Sequence, residues 1–198
     1  HLVERSEDRV NVEFTSKSQF NKGLIRFTEE AKLLARFQHH LHIVSVLHYF
    51  RLNNTAYMVM PFIEGRTLRS FLRKKSIKQD LAIGIINPVL DALKECHKTG
   101  LLHRDISPDN IYLTKESQVK LLDFGSARQT RGDEEVQFTQ VLKKSYAPVE
   151  QYQKEGRQGP WTDIYSVGAT LYRMLVGKPP LSSVDRLVQD TLKKPSEL

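Results

Sequence analysis

His103-Arg104-Asp105-Ile106-Ser107-Pro108-Asp109-Asn110, with Asp123-Phe124-Gly125 a short way on, is the stretch that concentrates the chain's candidate chemistry. Asp105 and Asn110 fall in a loop that follows an apolar helical pattern and precedes a short strand pattern at Ile111–Thr114. A carboxylate in such a loop is suited to accept a hydroxyl proton, and an amide oxygen a few residues on is suited to bind a cation. Asp123 follows a second short strand pattern, Val119–Leu122. A second carboxylate beside a glycine suits Mg2+, a hard cation that takes few protein ligands and keeps phosphates and water. Asp and Asn in loops are ordinarily turn formers. The three together, in this order and on these elements, point to chemistry.

Working outward, Leu81, Ile85, Val89, Leu93 and Cys96 keep helical spacing and predict a helix over Gln79–Lys98, with Pro88 inside it and Gly100 at its end. A short helix is predicted from Thr67 to Arg73, after Gly65. Two β-rich runs, Ile43–Phe50 and Ala56–Phe62, flank the turn-like Asn53-Asn54. From about Asn21 to Gln38 the residues Leu24, Phe27, Ala31 and Leu34 form one helical stripe. Glu29 points opposite to it, and Glu30 lies at its edge. The first twenty residues are polar, with a weak strand candidate at Arg9–Phe14. Downstream, Gly125–Glu150 shows no period, and loops of that length inside a domain are usually functional. Thr162–Val176 is apolar nearly all round (Ile164, Val167, Leu171, Met174, Leu175) and predicts a buried helix, capped by Gly177 and stopped by Pro179-Pro180. A last amphipathic helix is predicted over Ser183–Leu192. The order gives a small α+β lobe joined near Pro61–Gly65 to a larger, mostly helical lobe.

The chain has 198 residues, 39% hydrophobic and 27% charged, an ordinary soluble globular composition. No apolar run approaches the roughly 18 residues of a membrane helix. The single cysteine, Cys96, excludes an internal disulfide, fits a reducing intracellular setting, and reads as a buried structural thiol. The net charge of +7 is scattered over Arg66, Arg69, Arg73, Lys74 and Lys75, then Lys143 and Lys144, then Lys193 and Lys194. The first set reads as a solvated helix face, and aromatic interleaving for nucleic acid is missing. His39, His40 and His42, at a helix exit, read as surface or turn residues rather than zinc ligands.

His103-Arg104-Asp105…Asn110 followed by Asp123-Phe124-Gly125 resembles the protein-kinase signature. The likeness extends along the chain. Phe27-Thr28-Glu29-Glu30-Ala31 and His40-Leu41-His42-Ile43-Val44 look like the regulatory helix of the small lobe and its exit. Tyr57-Met58-Val59-Met60 looks like the strand leading to the hinge between the lobes. Tyr146-Ala147-Pro148-Val149-Glu150 is similar to the end of the activation segment, and Asp163-Ile164-Tyr165-Ser166-Val167-Gly168 resembles the buried helix with its anchoring aspartate. His103–Asn110 and Gly159–Tyr165 look most like bacterial serine/threonine kinases.

The resemblance implies an α+β, bilobal protein-kinase-like fold truncated at both ends, with 1–62 a partial small lobe and 63–198 a partial large lobe. It implies transfer of the ATP γ-phosphate to serine or threonine hydroxyls of a protein substrate. Asp105 would accept or orient the hydroxyl, and Asn110 and Asp123 would hold Mg2+. Glu30 would pair with a strand lysine that lies before this chain. Met60 would stand as gatekeeper, Pro61 and Ile63 would offer hinge backbone groups, and Tyr112 would form the floor of the ATP pocket. Leu34, His103 and Phe124 fit the hydrophobic spine. Arg104 would answer a phosphate on the activation segment, with Thr139 the first candidate and Thr130 and Ser145 behind it. A cytoplasmic location follows, or the cytoplasmic face of a membrane, with regulatory domains outside the chain.

The chain also departs from the pattern. It opens at His1 and reads as a fragment without a glycine-rich phosphate loop or its strand lysine, so weak ATP binding is expected of it alone. Gly177-Lys178-Pro179 is no phosphate loop, and Lys17 and Lys22 are poor substitutes for the lysine. Ser107 stands where the catalytic-loop lysine is usual, Asp109 stands at the four-on position, and no cation is supplied here for the transferred phosphate. Pro148-Val149-Glu150 replaces Ala-Pro-Glu, and the arginine partner of Glu150 would lie past the end of the chain. Two other classes compete: a pseudokinase scaffold, which Ser107 favours and Asp105, Asn110 and Asp123 oppose, and an aminoglycoside-type small-molecule kinase, which Arg104, Phe124-Gly125 and the long segment to Glu150 oppose.

Overall fold

Residues 2–6, 9–13, 17–73, 75–124, 127–129, 143–153 and 155–197 are described by the computed structural model. The chain divides into two units, His1–Ile63 and Glu64–Leu198.

In the first unit β1 (Leu2–Ser6) and β2 (Arg9–Glu13) form an antiparallel hairpin, Leu2 opposite Glu13 and Ser6 opposite Arg9. Helix α1 runs over Lys17–Ala35, starting earlier and ending sooner than the apolar stripe alone indicates. Ala31 and Leu34 of that stripe are buried, while Glu29 turns outward and pairs with Lys32 at 2.9 Å. Strands β3 (His48–Leu52) and β4 (Thr55–Val59) pair antiparallel, with α1 against β4. Asn53 and Asn54 both take positive φ (53° and 56°), which two-residue hairpin turns demand and asparagine tolerates. The strand expected from Ile43 begins only at His48. Ile43 makes an isolated β-bridge, Val44 and Val46 are core plugs on irregular backbone, and a short apolar run does not distinguish these cases from a strand.

In the second unit β5 (Gly65–Thr67), β7 (Ile111–Thr114) and β8 (Val119–Leu121) make an antiparallel sheet with β7 central. Gly65 sits opposite Thr114, and a Cβ on it would lie 2.2 Å from the Leu113 carbonyl oxygen, so the strand approach requires glycine there. Helix α2 (Leu68–Leu72) is capped by Thr67, whose hydroxyl accepts the Ser70 N–H at 3.2 Å. Helix α3 (Gln79–Lys98) carries Pro88 inside, as expected. Its buried stripe is Ala82, Ile85, Ile86, Val89, Ala92, Leu93 and Cys96, whereas Leu81 is 48% exposed. Strand β6 (Leu101–Leu102) pairs with β9 (Arg128–Gln129).

Helix α4 (Pro160–Val176) packs on α3 and ends at Gly177 in the left-handed conformation, φ 82°. It is not buried all round as the composition suggests: Ile164 is 48% exposed, and the buried face carries Thr162, Asp163, Ser166, Thr170 and Arg173. Several of these polar groups are inward because distant backbone satisfies them. Ser166 Oγ donates to the Tyr146 carbonyl at 2.9 Å, and the Arg173 guanidinium donates to the carbonyls of Lys75 (3.2 Å) and Arg73. The final helix, α5 (Ser183–Val188), is shorter than the amphipathic pattern. Asp190 stops it by binding the Arg186 side chain at 2.8 Å and accepting the Leu192 N–H at 3.1 Å, which competes with helical bonding.

Cys96 is fully buried, and desolvation, with the Asp163 carboxylate adding to it, pushes its thiol up to about 12. Expected outcome: iodoacetamide at pH 8 leaves Cys96 unmodified in the folded protein and alkylates it fully in denaturant. Comparable rates in the two states would contradict this burial.

Candidate active site

The loop between β6 and β7 is fixed from several sides, and its centre is a buried carboxylate on α4. Asp163 is fully buried. Its Oδ1 accepts the Arg104 N–H at 2.7 Å, and its Oδ2 accepts the His103 N–H at 3.0 Å and the His97 Nε2–H at 2.7 Å. Such charge-assisted bonds are what make a buried carboxylate tolerable. Arg104 itself takes the left-handed conformation, φ 67°, which disfavours a residue with a Cβ by about 1–2 kcal/mol. It is over-determined there: Gln151 Nε2 donates to its carbonyl at 2.9 Å, and its own Nε donates to Gln158 Oε1 at 2.5 Å. Pro108 O accepts the Arg69 N–H at 2.8 Å, which straps the far side of the loop to α2.

His103 is buried beneath the loop. Its Nε2 lies 3.0 Å from the Leu122 carbonyl and its Nδ1 lies 3.3 Å from the Asp105 N–H, so the neutral tautomer with the proton on Nε2 satisfies both. Burial pushes its pKa down, against the opposing pull of nearby carboxylates led by Asp163. Its ring meets Phe124 edge-on, with centroids 4.6 Å apart. Leu34, the other residue expected in a spine, is buried and belongs to the first unit.

Asp105 and Asn110 are brought together. Asn110 Nδ2 donates to the Asp105 carbonyl at 2.8 Å and to Asp105 Oδ2 at 2.9 Å. With its NH2 so engaged, the planar amide turns Oδ1 away from the carboxylate. The Leu122 N–H donates to Asn110 O at 2.8 Å, continuing the β7–β8 ladder, in which Ile111 faces Leu121, by one more bond. Asp123 is therefore the next residue along from the partner of Asn110. It is exposed and takes φ 59°, a conformation aspartate tolerates. One amide oxygen and one carboxylate are hard oxygen donors in the small number Mg2+ accepts, so these residues fit that ion.

One residue of this site was not legible in the sequence. Lys143 Nζ lies 3.1 Å from Asp105 Oδ2, 2.9 Å from Ser107 Oγ and 3.9 Å from Asp109 Oδ2. An ammonium thus stands at the loop where the sequence offered none, which corrects the expectation drawn from Ser107. The signal was indirect: a missing cation at position 107, and a lysine shortly before Tyr146-Ala147-Pro148. Asp109 also binds Arg69 Nε at 2.6 Å, so that arginine belongs to the loop as well as to a solvated face.

The segment that brings Lys143 is anchored behind it. Ser183 Oγ donates to Ala147 O at 2.8 Å, and Thr162 Oγ1 donates to Glu150 Oε1 at 2.9 Å while accepting the Gly159 N–H at 3.2 Å. Ser145 is half-buried in this segment. Gly125, Thr130 and Thr139 lie outside the described residues. Glu30 is half-buried on α1, Met60 and Pro61 are exposed, and Ile63 is half-buried at the end of the first unit. Tyr112 is half-buried on β7 between Thr67 and Lys120. His42 N–H donates to His40 Nδ1 at 3.2 Å, and no group of three or more metal-ligating side chains occurs among the described residues.

The family model described as protein kinase domain matches residues 4–196. The serine/threonine-protein kinase PknL of Mycobacterium tuberculosis is 33% identical over 80% of this chain and 40% of its own length. A probable serine/threonine-protein kinase of Clostridium perfringens is 32% identical over 79% of the chain and 23% of its own length. Sperm motility kinase 2B of Mus musculus is 31% identical over 77% of the chain and 32% of its own length. The chain thus spans two fifths or less of these relatives.

Two outcomes follow from the carboxylate and the imidazole. Asp163→Asn removes the charge and sets an amide N–H against a backbone N–H, and is expected to lower stability by about 2–4 kcal/mol, read from the urea midpoint at unchanged slope. The folded state keeps His103 neutral, while the unfolded chain takes up its proton below about pH 6.5. The His103 contribution is therefore complete above that pH and declines below it, by at most about 1.4 kcal/mol per pH unit. A His103→Phe variant should be less stable throughout but lose less on acidification; an equal acid loss in both proteins would rule out His103 as the source.

Proposed function

The chain belongs to the protein kinase family, and from that premise we propose that the protein transfers the γ-phosphate of ATP to serine or threonine hydroxyls of protein substrates. The observation that carries this reading is the Asp105–Asn110 pair, bonded to each other and held on a loop that Asp163 fixes from beneath. Both the Asn110 and the Lys143 donors meet Asp105 on Oδ2. The substrate hydroxyl would approach Oδ1, where the carboxylate orients it and takes its proton. Asn110 Oδ1 and the Asp123 carboxylate would hold Mg2+, which when bound neutralises the phosphate oxygens and supplies electrostatic stabilisation.

For the nucleotide, Glu30 is assigned to pairing with a strand lysine, Met60 to the position behind the adenine, Pro61 and Ile63 to backbone contacts with its edge, and Tyr112 to its lower face. Pro61 lacks an N–H, and the role assigned to it needs only its carbonyl. Arg104 is assigned to answering a phosphate on the activation segment, with Thr139 the first candidate and Thr130 and Ser145 behind it. The named relatives PknL and the clostridial protein support serine/threonine as the acceptor class. Among the described residues no helix is long and apolar enough to cross a membrane. A cytoplasmic site of action, or one at the cytoplasmic face of a membrane, is the location proposed.

The test is phosphate transfer from labelled ATP by the full-length protein to an acceptor protein rich in serine and threonine. Asp105→Ala should lower kcat by about 10²–10⁴, and Asp123→Asn should leave the rate low at Mg2+ concentrations that saturate the unaltered protein and shift its Mg2+ dependence to higher concentration. A folded full-length protein that binds partners but transfers nothing would favour the scaffold reading instead.

A further inference from the structure

Ser107 is fully buried and uncharged, yet the loop does not lack a cation. Lys143 arrives from 36 residues further along the chain and puts its Nζ between Ser107 Oγ (2.9 Å) and Asp105 Oδ2 (3.1 Å), with Asp109 Oδ2 at 3.9 Å. Only 29% of its side chain is exposed. A lysine that merely balanced surface charge would keep its head in water. This one brings its head to the residue read as the proton acceptor. The small Ser107 side chain leaves space for it and accepts one of its hydrogen bonds. A longer residue at position 107 would compete for the same volume.

We propose that Lys143 is a catalytic residue: it supplies from the activation segment the positive charge that Ser107 does not bring to Asp105, and it meets the transferring phosphoryl group. This rests on the kinase reading given above. In the step, a bond forms between the substrate hydroxyl oxygen and the γ-phosphorus while the bond from that phosphorus to the β–γ bridging oxygen breaks. ADP leaves with the electron pair, and the hydroxyl proton passes to the Asp105 carboxylate. Negative charge is spread over the phosphoryl oxygens as this happens. An ammonium has three N–H donors. Bonds to Asp105 and Ser107 use two, and the third meets a phosphoryl oxygen beside the attacking hydroxyl. Preorganised donors of this kind act without reorganising during the reaction. The position also fits Lys143 to hold Asp105 in one rotamer, so its removal affects turnover more than nucleotide affinity.

The experiment uses the full-length protein in steady-state phosphate transfer, with thermal melts to confirm folding. Lys143→Met is expected to lower kcat about 100-fold with KM for ATP changed less than about threefold. Lys143→Arg should keep an intermediate rate, because it keeps the charge with a different head. The double variant Ser107→Lys with Lys143→Met returns the cation through the loop and should recover at least tenfold over the single variant, which a merely structural role for Lys143 does not predict. If Lys143→Met fails to fold, Lys143→Gln, which keeps hydrogen-bonding capacity and loses the charge, carries the same comparison. An active protein whose folded Lys143 variants retain half the parent kcat overturns the role of Lys143 and leaves the kinase reading intact. A double variant that folds but gains nothing over the single one overturns it as well. An unaltered protein that transfers no phosphate overturns both.

Discussion

The Asp163 carboxylate is the constraint on which the second unit's architecture turns. An ion sealed from water must be matched by donors in fixed places. Here the donors are the His103 and Arg104 backbone N–H groups and the His97 ring. Two of the three are main-chain groups, so the carboxylate grips the path of the loop rather than any side chain on it. That grip explains why Arg104 persists in a left-handed conformation that its Cβ resists. It also explains one of the polar residues that α4, so apolar in composition, turns inward, with Ser166 and Arg173 held instead by the carbonyls of Tyr146, Lys75 and Arg73. The helix serves as a mount for a loop as much as a wall of a core.

From that mount the site is assembled by short links. Asp105 follows Arg104, Asn110 binds Asp105, and the Asn110 carbonyl ties the loop to Leu122 and hence to the residue before Asp123. The other wall is built separately. Ser166 and Ser183 hold the carbonyls of Tyr146 and Ala147, Thr162 holds Glu150, and the backbone so fixed carries Lys143 back over Asp105 and Ser107. Both walls are referred to α4, one through Asp163 and the other through Thr162 and Ser166. A single helix thus sets the spacing between a carboxylate and an ammonium that are far apart in the chain.

What the sequence made legible was local. Asp105, Asn110 and Asp123 stood out because their order and their loop-and-strand setting are rare together, and the structure does join Asp105 to Asn110. Gln79–Lys98 was bounded correctly, since its periodicity is strong and Gly100 follows it. The Asn53-Asn54 turn declared itself through two residues that tolerate positive φ. Features that depend on distant partners were not legible. Lys143 looked like one more scattered cation, because nothing near it in sequence shows that it faces Ser107. The inward face of α4 was misjudged because apolar patterning cannot register a serine or an arginine whose carbonyl partners lie elsewhere. Val44 and Val46 read as strand because burial alone, without ladder bonding, leaves the same imprint on a short run. Thr139 and Thr130 fall outside the described residues, and Ser145, the third candidate, is half-buried.

The bonds from Asp163 to His103 and Arg104 span 60 and 59 residues. Bringing such distant points together carries a loop-closure entropy that grows only slowly with their separation. Helix α3 and the β7–β8 hairpin are local and do not need those bonds. The orientation of Asp105 does need them, because it is set through Arg104 and His103 by a helix far along the chain. Chemical competence in this chain is therefore conditional on the docking of α4: a molecule in which that helix has come away can keep α3 and its hairpin and still have no formed catalytic loop.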